Sequence, residues 1–257
     1  MKITYSFTVT EQITDKEHLY PTFILARIAK GIGTYRIGGI FYDFHEGDIF
    51  FLNNLNSRKI VQIKEGPIII DLFTFSPSQV KRRPKIISAF YSQDFNSIKY
   101  SFKQTYSNIL DVLKTVLTTE NNEKVSELLL DSFFSLLEDD LPDSLPSHMN
   151  SRAFKAANYI WENYAQDLYL EDIAKHLNVS KSHLEKLFKA SHGVSVGEYI
   201  RLIRVHQAVL MMQEHPEKNV LDIAFSCGFT SSSGFYKAFK AVRGATPLRK
   251  NLDLSEV

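Results

Sequence analysis

"SCGFTSSSGFYKAFKAVRGATP", residues 226–247, sets a glycine and a run of small hydroxyls before apolar residues at helical spacing. Fifty residues upstream, "HLNVSKSHLEKLFKASHGVS", residues 176–195, follows the same order. The two stretches superpose step by step. Ile173-Ala174 and Ile223-Ala224 stand fifty apart. Four residues beyond each alanine comes Asn178 or Gly228, residue types that tolerate a positive φ. Val179 or Phe229 follows, then a hydroxyl suited to cap a helix: Ser180 in the first copy, Thr230 or Ser231 in the second. The offset then becomes fifty-one, so that Leu184 matches Phe235, Leu187 matches Ala238, Phe188-Lys189 matches Phe239-Lys240 and Gly193 matches Gly244.

A small alanine, a tight turn and a capped second helix form the pattern of a helix-turn-helix. The outer face of each second helix falls at i, i+3, i+4 and i+7. It reads Ser182, Glu185, Lys186 and Lys189 in the first copy, and Ser233, Tyr236, Lys237 and Lys240 in the second. Short hydroxyls and long cations on one stripe suit a helix in the major groove of double-stranded DNA. Two such helices about 34 Å apart would meet successive turns on one face of the duplex. A plain helical bundle would account for one such unit; two in register favour the DNA reading. The charge balance agrees: residues 151–250 hold 14 Lys/Arg against 9 Asp/Glu, whereas residues 1–150 hold 16 against 18.

The predicted fold class is α+β, with an N-terminal β-barrel and helical hairpin ahead of a C-terminal all-α domain. Segments 23–31, 34–38, 39–44, 48–53, 58–63 and 68–75 are short, branched or aromatic, and divided by glycine-containing turns, as in a sandwich or barrel. "VKRRPKI" (80–86) reads as a solvated loop. Residues 101–119 and 122–138 form a hairpin striped by Leu110, Leu113, Leu128, Leu129, Leu136 and Leu137; the stripes suit either a core or a dimer seam. "DDLPDSLPSHMN" (139–150) is the linker candidate. Beyond it, a helix capped by Ser151 buries Phe154, Ala157, Ile160, Trp161 and Tyr164, and a longer helix over 195–215 joins the two copies. The expected domains are residues 1–100, a dimerising hairpin over 101–140, a linker over 141–150, and a DNA-binding domain over 151–257.

One cysteine, no apolar leader in "MKITYSFTVTEQ" and no apolar run long enough to cross a bilayer predict a cytoplasmic protein without membrane association.

Residues 158–249 resemble the C-terminal domain of the AraC/XylS family of bacterial transcription regulators. "YIWENY", "LYLEDIAKHLNVSKSHLEKLFKASHGVSVGEYI", "RVHQA", "DIAFSCGFTSSSGFYKAFK" and "GATP" carry the likeness. The resemblance implies that Ser182, Glu185, Lys186, Ser232, Ser233 and Lys237 read bases, while Lys181, His183, Lys189, Tyr236 and Lys240 meet the backbone; Ser231 joins this DNA-binding set. Glu185 has a second reading, an i, i+4 pair with Lys181 or Lys189. Lys250 and Asn251 depart from the tyrosine and arginine usual in the family, and Gly234 reads as a mid-helix glycine, which costs about 1 kcal/mol and would loosen the second reader.

"GIGTYRIGGIFYDFHEGDIFFL" (31–52) resembles the cupin barrel that serves such regulators as an effector domain. That likeness implies a small-molecule effector, a sugar by default, and a homodimer; it leaves room for RNA polymerase as a partner. Arg27, Lys30, Tyr35, Arg36, Tyr42 and Arg58 are the candidate effector-binding residues. His18 and His45 have no partner at ligand spacing, so neither metal, cofactor nor catalysis is expected. Two other readings stay open: a DNA-binding protein that needs no effector, and a cupin enzyme fused to a DNA-binding module.

Overall fold

The computed structural model describes residues 3–13, 22–37, 39–54, 56–80, 82–91, 97–98, 104–120, 122–142 and 152–247. His18, Ser151, Lys250, Asn251 and linker positions 143–150 lie outside them. The chain divides into two compact units, Met1–Met149 and Asn150–Val257.

In the first unit an antiparallel sheet runs β1 (Thr4–Thr10), β5 (Arg58–Phe75), β2 (Phe23–Ile37), β4 (Ile49–Leu52), β6 (Ser97–Ile98), and β3 (Ile40–Phe44) also pairs with β2. β2 and β5 pair along nearly their whole length, so four of the expected short strands merge into two long ones. The reason lies in Gly31 and Gly66, with φ of +94° and +90°. A Cβ on Gly66 would stand 3.4 Å from the Gly31 Cα. These glycines sit in or beside register shifts within a ladder and do not end it. β1 was not among the expected strands.

Helices cover one face of this sheet. After a 3-10 turn at Pro77–Val80, α1 (Pro84–Tyr91) inserts Phe90, which stacks on Phe23 at 4.8 Å and meets Phe75, Phe51 and Phe134. Part of the basic run is therefore helical, and Arg83 pairs with Asp131 and Glu138 in place of a purely solvated loop. The hairpin consists of α2 (Gln104–Thr115), a π-helical turn (Val116–Glu120) and α3 (Glu123–Asp140). Its core side is Tyr106, Leu110, Leu113, Leu130, Phe133, Phe134 and Leu137. A buried polar network ties α2 to the sheet. Asp71 accepts from Arg27, Tyr5 and Lys114, and Arg27 also reaches Asp111. Burial alone would raise the Asp71 carboxyl, but these donors hold it below its ordinary range.

The second unit is helical throughout its described length: α4 (Arg152–Asn163), α5 (Leu170–His176), α6 (Lys181–His192), α7 (Val196–Glu214), α8 (Val220–Ser226) and α9 (Ser232–Arg243). The fold class is thus the mixed arrangement that the sequence indicates. α7 lies between the two repeats, offering Val205, Ala208, Val209 and Met212 to α8 and α9. Tyr199, also on α7, packs edge-on against Phe188 of α6 at 5.2 Å.

His206 of α7 is buried, and burial, with the Arg243 charge adding to it, pushes its imidazole down to about 4 from an ordinary 6.5. The folded chain holds it neutral while the unfolded chain protonates normally. This contribution is full above pH 6.5 and is lost as pH falls to about 4, on the order of 3 kcal/mol. Urea unfolding followed by fluorescence of Trp161, the chain's single tryptophan, should show that loss; His206→Leu should flatten it.

Candidate nucleic-acid interface

The two helix-turn-helix units are equivalent down to single backbone bonds. Leu177, Asn178 and Val179 donate to the carbonyls of Ile173, Lys175 and Ala174; Cys227, Gly228 and Phe229 donate to those of Ile223, Phe225 and Ala224. Each pair is fifty residues apart. Asn178 has φ +52° and Gly228 has φ +87°, the left-handed geometry that the turn requires. Ala174 and Ala224 are buried where the helices cross. The register then advances by one. Ser180 Oγ accepts from His183 N, and Ser231 Oγ accepts from Gly234 N, each at 3.2 Å. Gly193 and Gly244 end α6 and α9 with φ +74° and +77°.

Ser231, not Thr230, is therefore the second cap. Gly234 stands in the first turn of α9 and not in mid-helix, a correction with a local cause. A Cβ there would come within 2.9 Å of the capping Ser231 Oγ, so glycine lets the cap close.

On α6, Ser182, His183, Lys186 and Lys189 are exposed. Lys181 is exposed but paired with Glu171 of α5. Glu185 is half-buried, and its carboxylate accepts from Val196 N at 3.4 Å. On α9, Ser232, Ser233, Tyr236, Lys237 and Lys240 face outward. α7, with 19 residues, is about 28 Å long, somewhat short of the roughly 34 Å of one B-DNA turn.

Arg204 is marked by no local signal in the sequence. It donates to the Tyr164 carbonyl at 2.8 Å and to the Gln166 carbonyl at 2.9 Å, anchoring the end of α4 to α7. Gly228 fits against the same place: a Cβ would lie 2.6 Å from the Tyr164 oxygen and 3.0 Å from Arg204 Nε. Beside it Cys227 is buried, its thiol pushed up to about 12 by that burial, and so a poor nucleophile.

The effector candidates of the first unit are scattered over the sheet. Tyr35 and Tyr42 are cross-strand partners on one face, with Phe50 at 5.7 and 6.3 Å from their rings. Arg58 lies on that face by strand alternation and is buried. Arg36 points to the opposite face, Lys30 is exposed, and Arg27 is engaged with Asp71 and Asp111.

Two helix-turn-helix units joined by one long helix are the architecture of a DNA-binding transcription regulator. Residues 173–250 match the family model described as a helix-turn-helix domain. The Msm operon regulatory protein of Streptococcus mutans is 28% identical over 231 residues, 88% of this chain and 82% of that protein. The lactose operon transcription activator of Staphylococcus xylosus is 26% identical over 227 residues, 84% of this chain and 78% of that one. ToxT of Vibrio cholerae shares the fold, with TM-scores of 0.63 (18% identity, 98% of each chain) and, in its unsaturated fatty acid-bound structure, 0.60 (16% identity, 100% and 97%). Over residues 173–250 the chain carries an AraC-type helix-turn-helix domain, and the proteins it resembles along most of its length are named as regulators.

Gly228→Ala should cost on the order of 2–3 kcal/mol, through a disallowed φ and the contact with the Tyr164 carbonyl. Asn178→Gly should change stability by under about 1 kcal/mol. Urea midpoints read from Trp161 fluorescence will separate the two.

Proposed function

We propose that this protein is a cytoplasmic, dimeric activator that turns on a sugar operon when a small polar metabolite, a sugar by first choice, occupies its N-terminal unit. The observation that carries the reading is the pair of equivalent capped helices, each with serines and lysines outward, on either side of a connector about 28 Å long. Ser182 and Lys186 on α6, and Ser232, Ser233 and Lys237 on α9, read bases. Lys181, His183, Lys189, Ser231, Tyr236 and Lys240 follow the sugar-phosphate backbone. The name of the Staphylococcus relative, a lactose operon transcription activator, supports the sugar and the activator role, for which RNA polymerase would be the partner.

The effector enters the cupin-like sheet at the face carrying Tyr35, Tyr42, Phe44 and Phe50, with Arg58 as its charged group. This reading drops Arg27, whose guanidinium holds α2 to the sheet. The dimer forms through the hairpin, where Leu128 and Leu136 lie two turns apart on α3 and are 60% and 38% exposed, with Val112 on α2 at 51%. Leu137 takes no part in that seam, because it is buried in the core.

The test begins with selection of bound fragments from genomic DNA by the full chain. Two short motifs about one helical turn apart, on one face, are expected. Lys186→Ala and Lys237→Ala should each cost about 1–3 kcal/mol and relax preference at different positions. Lys189→Ala should weaken all sequences alike and lower the salt slope by about one. Footprints in which both helices protect the same base pairs would sink this reading.

Analytical ultracentrifugation tests the seam. The wild-type chain should sediment as a dimer at tens of micromolar (about that range suffices for a seam worth roughly −7 kcal/mol), and Leu128→Glu should yield monomer. Thermal-shift measurement against sugars, with an unsaturated fatty acid as the contrasting arm, tests the effector. A shift with a sugar that Arg58→Ala abolishes is expected; a response to the fatty acid alone overturns the sugar assignment.

A further inference from the structure

In α6 the Glu185 carboxylate accepts from the backbone N–H of Val196, the first residue of α7. The N–H groups of a helix's first turn have no partner within the helix, and a carboxylate there is favoured by the helix dipole. Ser195 takes the Glu198 N–H through a capping box, and Glu185 takes the Val196 N–H from another helix. The contact ties the first reading helix to the start of the connector.

The second repeat cannot make this bond. At the offset of fifty-one, Glu185 corresponds to Tyr236, Gly193 to Gly244, Ser195 to Thr246 and Val196 to Pro247. Proline has no N–H to donate and tyrosine no carboxylate to receive one. The exposures follow suit: Glu185 is half-buried, Tyr236 is 42% exposed. Only the copy followed by the connector carries the tie. A connector of about 28 Å is a lever: a tilt of about 10° at its start moves its far end by about 5 Å, more than the rise of one base pair, roughly 3.4 Å.

We infer that Glu185 is a positioning residue that fixes the spacing between the two half-sites by locking α6 to α7, and that its counterpart Tyr236 is thereby free to touch DNA. The inference rests on the reading of α6 and α9 as the helices that enter the grooves.

The experiment is a binding-site selection with the full chain on a library of two randomised half-sites separated by spacers of varied length. Wild type should enrich one spacer. Glu185→Ala should keep the base preferences of each half-site, spread over neighbouring spacers and bind the preferred site several-fold more weakly. Glu185→Gln, whose amide oxygen still accepts, should keep the narrow spacer distribution. Val196→Pro removes the donor from the other side at a position where proline is tolerated, and should broaden the spacers as Glu185→Ala does. Trp161 fluorescence establishes that each variant is folded. An unchanged spacer distribution in folded Glu185→Ala and Val196→Pro overturns the lock. Loss of preference at a single base in Glu185→Ala makes Glu185 a base reader and overturns it equally. If wild type enriches no sequence, the reading of α6 and α9 as DNA-entering helices fails instead.

Discussion

The second helix of each helix-turn-helix unit depends on one residue of positive φ. A helix that must cross its predecessor closely needs the chain to reverse within three residues, and Asn178 and Gly228 supply the left-handed conformation that does so. The two positions are not chemically equal. Asn178 is exposed, so its side chain costs only the modest strain of its φ. Gly228 is pressed against the Tyr164 carbonyl and the Arg204 guanidinium, where no side chain fits. The second turn is thus also a packing joint, binding α8 and α9 to the junction of α4 and α7. The first turn is free to vary in composition provided that φ stays positive.

That joint explains why α7 works as a strut. Arg204 on α7 holds two carbonyls at the end of α4, and carbonyls near a helix C-terminus are where a cation is favoured. At the start of α7, Ser195 and Glu198 close a capping box. The connector's first turn is capped, and its middle is clamped to α4. Buried apolar residues fill the contact with both repeats, and neutral His206 is the one imidazole sealed among them in the described residues. A helix fixed in this way holds the two helix-turn-helix units at a set distance, because bending it would break hydrogen bonds and packing together.

The helical half was largely legible in the sequence because its signals are local. Ser180, Ser195 and Ser231 cap helices a few residues away, and Gly193 and Gly244 end them, so element bounds followed from spacing alone. The sheet was legible in kind but not in extent. Glycine in a strand reads as a turn, and nothing local distinguishes Gly31 and Gly66, which face each other within a ladder, from turn glycines. Arg27 is the corresponding case among side chains. As a polar residue on a strand it suggests a ligand site, but its partners Asp71 and Asp111 lie 44 and 84 residues further on, brought near by β5 and α2. Gly234 is the opposite case: its place in the helix depends on which hydroxyl caps it, and the cap at Ser231 puts it in the first turn.

Comparison of the repeats separates what both copies need from what each has taken on. Turn hydrogen bonds, buried alanines, capping serines and terminal glycines recur, and these residues make the fold. Differences at exposed positions have no such excuse. Lys181 pairs with Glu171 in the first unit, whereas Ser232 and Leu221 occupy the matching places in the second and can form no ion pair. The start of α6 is therefore held by charge to α5, while the start of α9 presents only hydroxyls beyond its cap. An ion pair exposed on both sides is screened by water and contributes little to stability, so the difference is one of orientation more than stability. Lys181 is committed in part to its own fold. Of the two helices, α6 is the one tied by charge to its neighbour, and α9 turns the hydroxyls of its first turn to solvent.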